Sequence, residues 1–172
     1  MEKLTLCICT VLFMNLLPGC GGGGASSAVT PPMNTAIVVS ASLASGLTKT
    51  SVPISGIEVT FSLPQQAAPV LNSDGTLQIG ETGLKNLNAN GAIQSGGFNP
   101  ATRTVKFILV SNNVATTDLG TGEIARLTVT LSAGSQLLAQ DIHPVYKVAG
   151  QGTVDISSEI VPTVSIVTYQ KP

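Results

Sequence analysis

Aromatic and charged residues are scarce in this chain of 172 residues. It contains no tryptophan, aromatic residues make up 3% of it, and charged residues make up 10%. Modules that grip crystalline polysaccharide stack sugar rings on coplanar, exposed aromatic side chains, so the composition disfavours such a surface. The net charge is -1 and the charges are scattered singly, which leaves no basic patch and argues against a nucleic-acid partner.

Histidine and cysteine are equally scarce. His143, beside Pro144, is the single histidine, whereas a general base needs a partner acid and a metal site needs further ligands. The three cysteines are Cys7, Cys9 and Cys20. Because none follows Cys20, the rest of the chain can form no internal disulfide, cysteine zinc site or thiol nucleophile. We therefore assign no catalytic, cofactor-binding or metal-binding residue and expect no enzyme.

The N-terminal part has the composition of an export signal followed by a spacer. The apolar run Leu4–Leu17 is shorter than the roughly 20 residues of a membrane span and ends in small residues, which predicts a cleaved signal over residues 1–19. The uncharged stretch Gly21–Pro32 is rich in glycine, serine and proline, and predicts a flexible stalk over residues 20–34. Residues 35–172 then remain, enough for one domain.

The end of the apolar run resembles the lipobox of bacterial lipoproteins, with Leu17, Gly19 and Cys20 at its defining positions. The resemblance implies cleavage between Gly19 and Cys20 and acylation of Cys20 by fatty chains such as palmitate. Two or more chains hold a protein stably at a membrane. In Gram-negative lipoproteins an aspartate at the position of Gly21 tends to retain the protein at the inner membrane, so, in a Gram-negative host, we expect the outer membrane. The alternative is an ordinary signal peptide that leaves Cys20 as a free thiol.

Beyond the stalk, apolar residues repeat with period two, which is typical of half-buried β-strands. In the clearest case the apolar side chains on one face alternate with polar ones, and burying each contributes roughly 1.5 to 3 kcal/mol before chain entropy is subtracted. Those apolar residues are Ile57, Val59, Phe61 and Leu63. Two further segments alternate similarly, with inward faces formed by Ile37, Val39, Ala41 and Leu43, and by Ala125, Leu127, Val129 and Leu131.

A tight hairpin is predicted over Phe98–Thr104, where an Asn-Pro turn separates two strands. The return strand has apolar residues on both faces, which indicates a central or covered position. One face carries Val105, Phe107 and Leu109, and the other carries Lys106, Ile108 and Val110.

The remaining segments predict short strands and one weak helical turn. Shorter strands are expected at Thr76–Ile79, Val145–Val148, Thr153–Ser157 and Thr163–Tyr169. A helical turn could form over Gly80–Asn90 through Leu84 and Leu87. Pro162 belongs at a strand entry or a sheet edge, because it cannot donate a ladder hydrogen bond. Eight or nine strands with turns between them predict an all-β fold, a β-sandwich.

Two sets of acidic residues could carry a function in this fold. Asp74 beside Asn72 could form a calcium corner, but a turn is the simpler interpretation. Glu58 and Glu123 are the acids expected on strands, and a carboxylate pair could cleave a glycoside if about 5 to 9.5 Å separated the two groups in a cleft. With so few aromatics to stack on a sugar, such a cleft is hard to build.

Three segments carry a resemblance to the cohesin family, whose jelly-roll sandwich is related to carbohydrate-binding modules. They are Ile57–Pro64, Phe98–Phe107 and Gly122–Val129, the last opening with a Gly-Glu pair. The resemblance covers roughly residues 35–169 and implies a jelly-roll of eight or nine strands with a non-catalytic binding role. In cellulose-degrading bacteria such domains bind calcium-loaded dockerins, and many relatives are isolated domains of surface proteins.

The resemblance and the lipobox together predict a membrane-anchored lipoprotein that displays a protein-interaction module. The expected partner is a dockerin-like or other envelope protein, bound through one exposed sheet face or edge strand. The alternative is a carbohydrate-binding module of the cell envelope, in which Tyr146 and Tyr169 would contact a polysaccharide.

Overall fold

The computed structural model describes the backbone of residues 33–113 and 117–170, and within those ranges it contains strands and short 3-10 turns but no α-helix. Nine strands follow one another within these described ranges. They are β1 (Met33–Leu43), β2 (Ile54–Ser62), β3 (Ala67–Pro69), β4 (Leu84–Asn86), β5 (Gly91–Asn99), β6 (Thr104–Ser111), β7 (Gly122–Leu131), β8 (Val145–Gly150) and β9 (Ile160–Gln170). β1 begins at Met33, before the expected domain start at residue 35.

The strands form two antiparallel sheets. Sheet A has the order β3-β7-β1-β9, and β4 also pairs with β7; sheet B has the order β5-β6-β2-β8. Buried side chains from both sheets form one apolar core, which is the arrangement of a β-sandwich. The prediction of an all-β sandwich with eight or nine strands is therefore confirmed.

The core confirms the period-two pattern of the three long central strands. On β2, Ile57 and Val59 are fully buried, and on β6 Phe107 is 1% exposed. Leu127 on β7 is 2% exposed. The opposite faces of β2 and β7 carry polar residues such as Glu58 and Arg126, whereas the opposite face of β6 carries Ile108 and Val110 beside Lys106, as the sequence predicts. β6 lies between β5 and β2, which confirms its central position.

β1 departs from the expected half-buried strand because both of its faces are covered. Ile37 and Val39 point into the core, yet Val38 on the opposite face is only 4% exposed. On that face of sheet A, Tyr169 reaches across from β9, and its hydroxyl lies 2.6 Å from the Thr128 hydroxyl on β7. The ring therefore crosses β1, and residues near it lose their access to solvent.

The two predicted turns are confirmed in detail. In the hairpin between β5 and β6, the Asn99 side-chain oxygen accepts hydrogen bonds from the backbone of Ala101 and Thr102 at 3.0 and 3.3 Å. In the turn before Leu77, Asp74 Oδ1 accepts from the Thr76 N–H at 2.9 Å and from the Thr76 hydroxyl at 2.6 Å. These bonds lower the pKa of Asp74, and they make turn formation its role here.

Three short predictions were wrong. Thr76–Ile79 forms only isolated bridges, and Ile79 is 53% exposed although Leu77 is buried. Gly80–Asn90 contains strand β4 instead of a helical turn, because the Leu84 segment pairs with β7. Thr153–Ser157 is a return segment between two 3-10 turns and touches β8 through a single bridge from Asp155 to Ala149. In each case the chain changes direction within a few residues, which leaves too little length for a regular ladder.

Candidate functional site

The outward surface of sheet B combines an apolar row with a charged group. Directly opposite residues in antiparallel strands share a face, so the register places the outward side chains in cross-strand rows. We call this surface the outer B face. Its three central rows are Ala92, Val110, Gly56 and Ala149; then Ser95, Ile108, Glu58 and Lys147; then Gly97, Lys106, Thr60 and Val145.

The first row is apolar and built from small side chains. Gly56 on β2 lies between Ala149 on β8 and Val110 on β6. Ile108, in the next row on β6, adds a second larger apolar side chain beside Val110. These residues line a shallow groove of about 690 Å³ on the β6-β2-β8 part of the face. Small side chains allow another backbone to approach closely, so the groove suits an extended segment or a flat protein surface.

A charged group lies next to the apolar row. Glu58 on β2 accepts from Lys106 on β6, with Nζ and Oε2 2.8 Å apart, and Lys147 Nζ on β8 lies 3.8 Å from Oε1. The hydrogen bond from Lys106 lowers the pKa of Glu58, partial desolvation opposes this, and the charges of both lysines add to the lowering. Asp155 of the adjoining return segment also lines the groove, close enough to feel the charge of Lys147, so two cations and two carboxylates balance on this side of sheet B.

The two lysine side chains are more exposed to solvent than the side chain of Glu58. The side chain of Glu58 is 23% exposed, whereas those of Lys106 and Lys147 are 53% and 80% exposed. Exposed ion pairs contribute little to stability. The lysine ammonium groups therefore retain donors that can reach a carboxylate on a partner, and Glu58 orients the nearer of the two, Lys106.

The return segment after β8 forms one wall of the groove. Asp155 Oδ1 accepts from the Ser157 N–H at 2.9 Å and from the Ser157 hydroxyl at 2.6 Å. The Ser157 oxygen in turn accepts from the Val148 N–H at 2.8 Å. These bonds lower the pKa of Asp155, with the nearby charge of Lys147 adding to the effect. The wall is thus fixed to the edge of sheet B.

The acids considered for glycoside cleavage do not come together. Glu58 lies on the outer B face, whereas Glu123 is exposed at the start of β7 in sheet A. His143 is exposed in the connection before β8. Within residues 33–113 and 117–170, no group of three or more His, Cys, Asp or Glu side chains is placed to hold a metal ion.

The two tyrosines occupy different surroundings. Tyr146 is 7% exposed, and its hydroxyl donates to the Ser40 carbonyl oxygen at 2.9 Å. Tyr169 lies on the outer side of sheet A, where the Arg126 guanidinium carbon is 4.4 Å from its ring centroid. Phe61 and Phe107 point into the core, as predicted. The aromatic residues therefore form no shared flat platform in the described part of the chain.

The predicted lipidation site, Cys20, and the cleavage point at Gly19 lie outside the described residues. In the part of the chain that the structure describes, no helix is long and apolar enough to cross a membrane. The anchor therefore stays a prediction from the sequence.

Sequence reasoning identified the outward positions of β6 but did not find the charged group. Glu58 was recognised as an acid on a strand, whereas its pairing with Lys106 and Lys147 depends on the order of strands in sheet B. A cross-strand charge pair is the signal that could have suggested this order, because opposite charges favour adjacent strands.

Comparisons with protein-family models, curated proteins and solved structures found no match to this chain.

Proposed function

We propose that this chain is a lipid-anchored, non-catalytic interaction module of the cell envelope, with a cohesin-like jelly-roll domain that binds a protein partner through the outer B face. The observation that carries the proposal is the pairing of an apolar row with the partly exposed group Glu58, Lys106 and Lys147. An apolar centre beside oriented charges is the general composition of a protein-binding surface.

The surface also indicates the chemistry of its partner. The side chains of Lys106 and Lys147 are 53% and 80% exposed, so a complementary surface carries a carboxylate beside an apolar strip. The side chain of Val145 is 63% exposed and extends the apolar area past the charged row. A protein partner is preferred over a polysaccharide because Tyr146, one of the two tyrosines able to stack on a sugar, is buried.

The location proposed for the module follows from the sequence of its N-terminal part. Acyl chains on Cys20 would hold the protein at the membrane, and the stalk over residues 20–34 would separate the sandwich from the lipid headgroups. An outer-membrane position follows from Gly21 after the lipidated cysteine.

The binding proposal is tested with two matched exposed alanines. Ala149→Arg places a long cation in the apolar row, whereas Ala68→Arg places the same side chain on β3 of sheet A. Cross-linking in native envelopes followed by capture should recover one stoichiometric partner with the wild type and with Ala68→Arg, and lose it with Ala149→Arg. Equal capture by both variants, or no partner for the folded wild type, would contradict the proposal.

The anchor is tested separately by intact-mass spectrometry of the membrane fraction. The expected chain begins at Cys20 and carries added acyl mass, and Cys20→Ser removes that mass and releases the protein from the membrane. An unmodified Cys20, or a mature chain that starts at another residue, would remove the anchor without affecting the binding proposal.

A further inference from the structure

Three of the four sheet edges in the sandwich are protected against pairing with another strand. On sheet A, β3 has only three residues and ends at Pro69. On sheet B, β5 has a register shift between Ile93 and Ser95, and the edge of β8 is bonded by the return segment, whose Ile156 N–H donates to the Val148 carbonyl at 3.0 Å. Short strands, bulges and covering segments are common ways to prevent edge-to-edge association.

The fourth edge, β9, lacks these features over most of its length. The strand has 11 residues, none of them charged, and pairs with β1 without a register shift. Its sequence is rich in β-branched residues, which favour extended structure. Val161 on its outer surface is 43% exposed. A long, regular and uncharged edge is a ready template for a further strand.

The register shows which backbone groups of β9 face the open side. The Ala44 N–H donates to the Glu159 carbonyl at 2.8 Å, just before β9 begins. In an antiparallel pair every second residue exchanges hydrogen bonds with the residue opposite it. The odd-numbered residues from 161 onward therefore bond to β1. The even-numbered residues therefore direct their N–H and C=O groups outward. Pro162 falls in this outward set, where its missing donor breaks no bond within sheet A.

Within residues 33–113 and 117–170, β1 is the only segment that forms backbone hydrogen bonds to β9. The turn Ala139–Asp141 contacts β9, but the Asp141 and Ile142 N–H groups donate to the Leu138 and Ala139 carbonyls. Among the described residues, the outward N–H and C=O groups of Val164, Ile166 and Thr168 therefore have no backbone partner.

We propose that β9 pairs antiparallel with β9 of a second copy of this chain, about a two-fold axis at Ile166. In this register the outward groups of residues 164, 166 and 168 of the two copies bond reciprocally, giving about six backbone hydrogen bonds. Pro162 then lies beyond the bonded region. Because the strand has no charge, the two copies meet without repulsion, which makes β9 self-complementary in a closed two-fold arrangement. The paired edges join two A sheets into one and leave both outer B faces available.

This register makes a specific side-chain prediction. On the outer surface of sheet A, Ser165 of one copy lies directly opposite Val167 of the other, and the symmetry repeats the pair. Like charges at both positions would oppose one another twice across the axis. Opposite charges at the two positions would instead form two favourable pairs. Both variants carry two substitutions in each strand, so they differ only in the sign of one charge.

Native mass spectrometry of the full chain released in mild detergent tests the proposal. The wild type should contain two copies, the Ser165→Lys/Val167→Lys variant one copy, and the Ser165→Lys/Val167→Glu variant two copies again. Circular dichroism establishes that each variant is folded, and the restored dimer of the Lys/Glu variant separates pairing from damage to the fold. The exposed Thr130→Lys on β7 serves as a control that leaves the dimer intact.

Any of three results would overturn the proposal. A single-copy wild type would show that β9 is not paired with another chain. A dimer that persists in the folded Lys/Lys variant, or that is not restored in the Lys/Glu variant, would place the contact elsewhere or in another register. Loss of the partner in Ala149→Arg would leave both outcomes unchanged, so the two proposals fail independently.

Discussion

Tyr146 of sheet B is hydrogen-bonded to Ser40 of sheet A, with its hydroxyl 2.9 Å from the Ser40 carbonyl oxygen. Ser40 lies where the register between β1 and β7 shifts, next to Val39. Thr163 on β9 donates its hydroxyl to the same carbonyl at 3.4 Å. A buried phenol therefore ties β8 to the irregular point of β1, and the two sheets are linked by a directional bond as well as by apolar packing.

Replacing Tyr146 by phenylalanine should lower the free energy of unfolding by about 1 to 2 kcal/mol, because the ring still fills the core while the bond to Ser40 is lost. Urea unfolding followed by far-ultraviolet circular dichroism measures the change, since the chain has no tryptophan. Tyr146→Ala should cost about 3 to 5 kcal/mol, because the cavity is added. An unchanged stability of Tyr146→Phe would show that the bond contributes nothing.

Stability should also fall in alkali through Tyr146. Burial raises the pKa of its hydroxyl above the ordinary value of 10.0. A raised folded-state pKa stabilises the protein fully below the unfolded-state value and loses that contribution as pH rises above about 10. Unfolding measured from pH 8 to 11 should therefore show a steeper decline for the wild type than for Tyr146→Phe. Parallel curves would contradict the assignment.

The alternation of β2, β6 and β7 could be read from the sequence because each strand is long enough to repeat its pattern several times. The burial of Val38 could not, since the residue opposite it on β7, Arg126, packs on the Tyr169 ring of β9 across β1, and these strands are remote in sequence. The sequence around Leu84 favours a helical turn, but a three-residue strand is too short to show a period, and only its pairing with β7 defines β4. The charged group around Glu58 required the strand order of sheet B, which local patterns do not contain.

Truncating an inward side chain of β6 should lower the free energy of unfolding far more than truncating an outward one. Phe107→Ala removes a side chain that is 1% exposed and should cost about 3 to 5 kcal/mol. The neighbouring Lys106→Ala removes an exposed ion pair with Glu58 and should cost under about 1 kcal/mol. Chemical unfolding of the two variants measures the contrast, and similar losses would contradict the assigned faces.

Replacement by alanine should change the stability of the fold in opposite directions at Gly83 and Gly97. A Cβ at Gly83 would lie 2.0 Å from the Gln78 carbonyl oxygen, whereas a Cβ at Gly97 meets no atom within 4 Å. The backbone clash forces a shift of the turn before β4, so Gly83→Ala should destabilise the fold by about 1 to 3 kcal/mol. Gly97→Ala should stabilise it by about 0.5 to 1 kcal/mol, because alanine loses less chain entropy in a strand. Thermal unfolding of both variants provides the test.

Ser157→Ala should loosen the wall of the groove without disturbing the core. The Ser157 oxygen accepts from the Val148 N–H at 2.8 Å and its hydroxyl donates to Asp155 at 2.6 Å. Hydrogen exchange of the Val148 amide should accelerate by about five-fold, the equivalent of one ordinary hydrogen bond. The pKa of Asp155 should rise toward its ordinary value, since its largest stabilising contact is lost.

The hydrogen bond between Ser157 and Asp155 also predicts how the stability of this wall depends on pH. A lowered carboxylate pKa stabilises the folded wall above the ordinary value of 3.8 and loses that effect as pH falls. Val148 exchange in the wild type should therefore accelerate at low pH, when compared at equal intrinsic exchange rates, but by less than in Ser157→Ala, because the Ser157 oxygen still accepts from the Val148 N–H. Exchange at Phe107 in the centre of sheet B should be equal in both proteins. If Val148 exchanges equally in both proteins at neutral pH, the serine does not hold the return segment against β8.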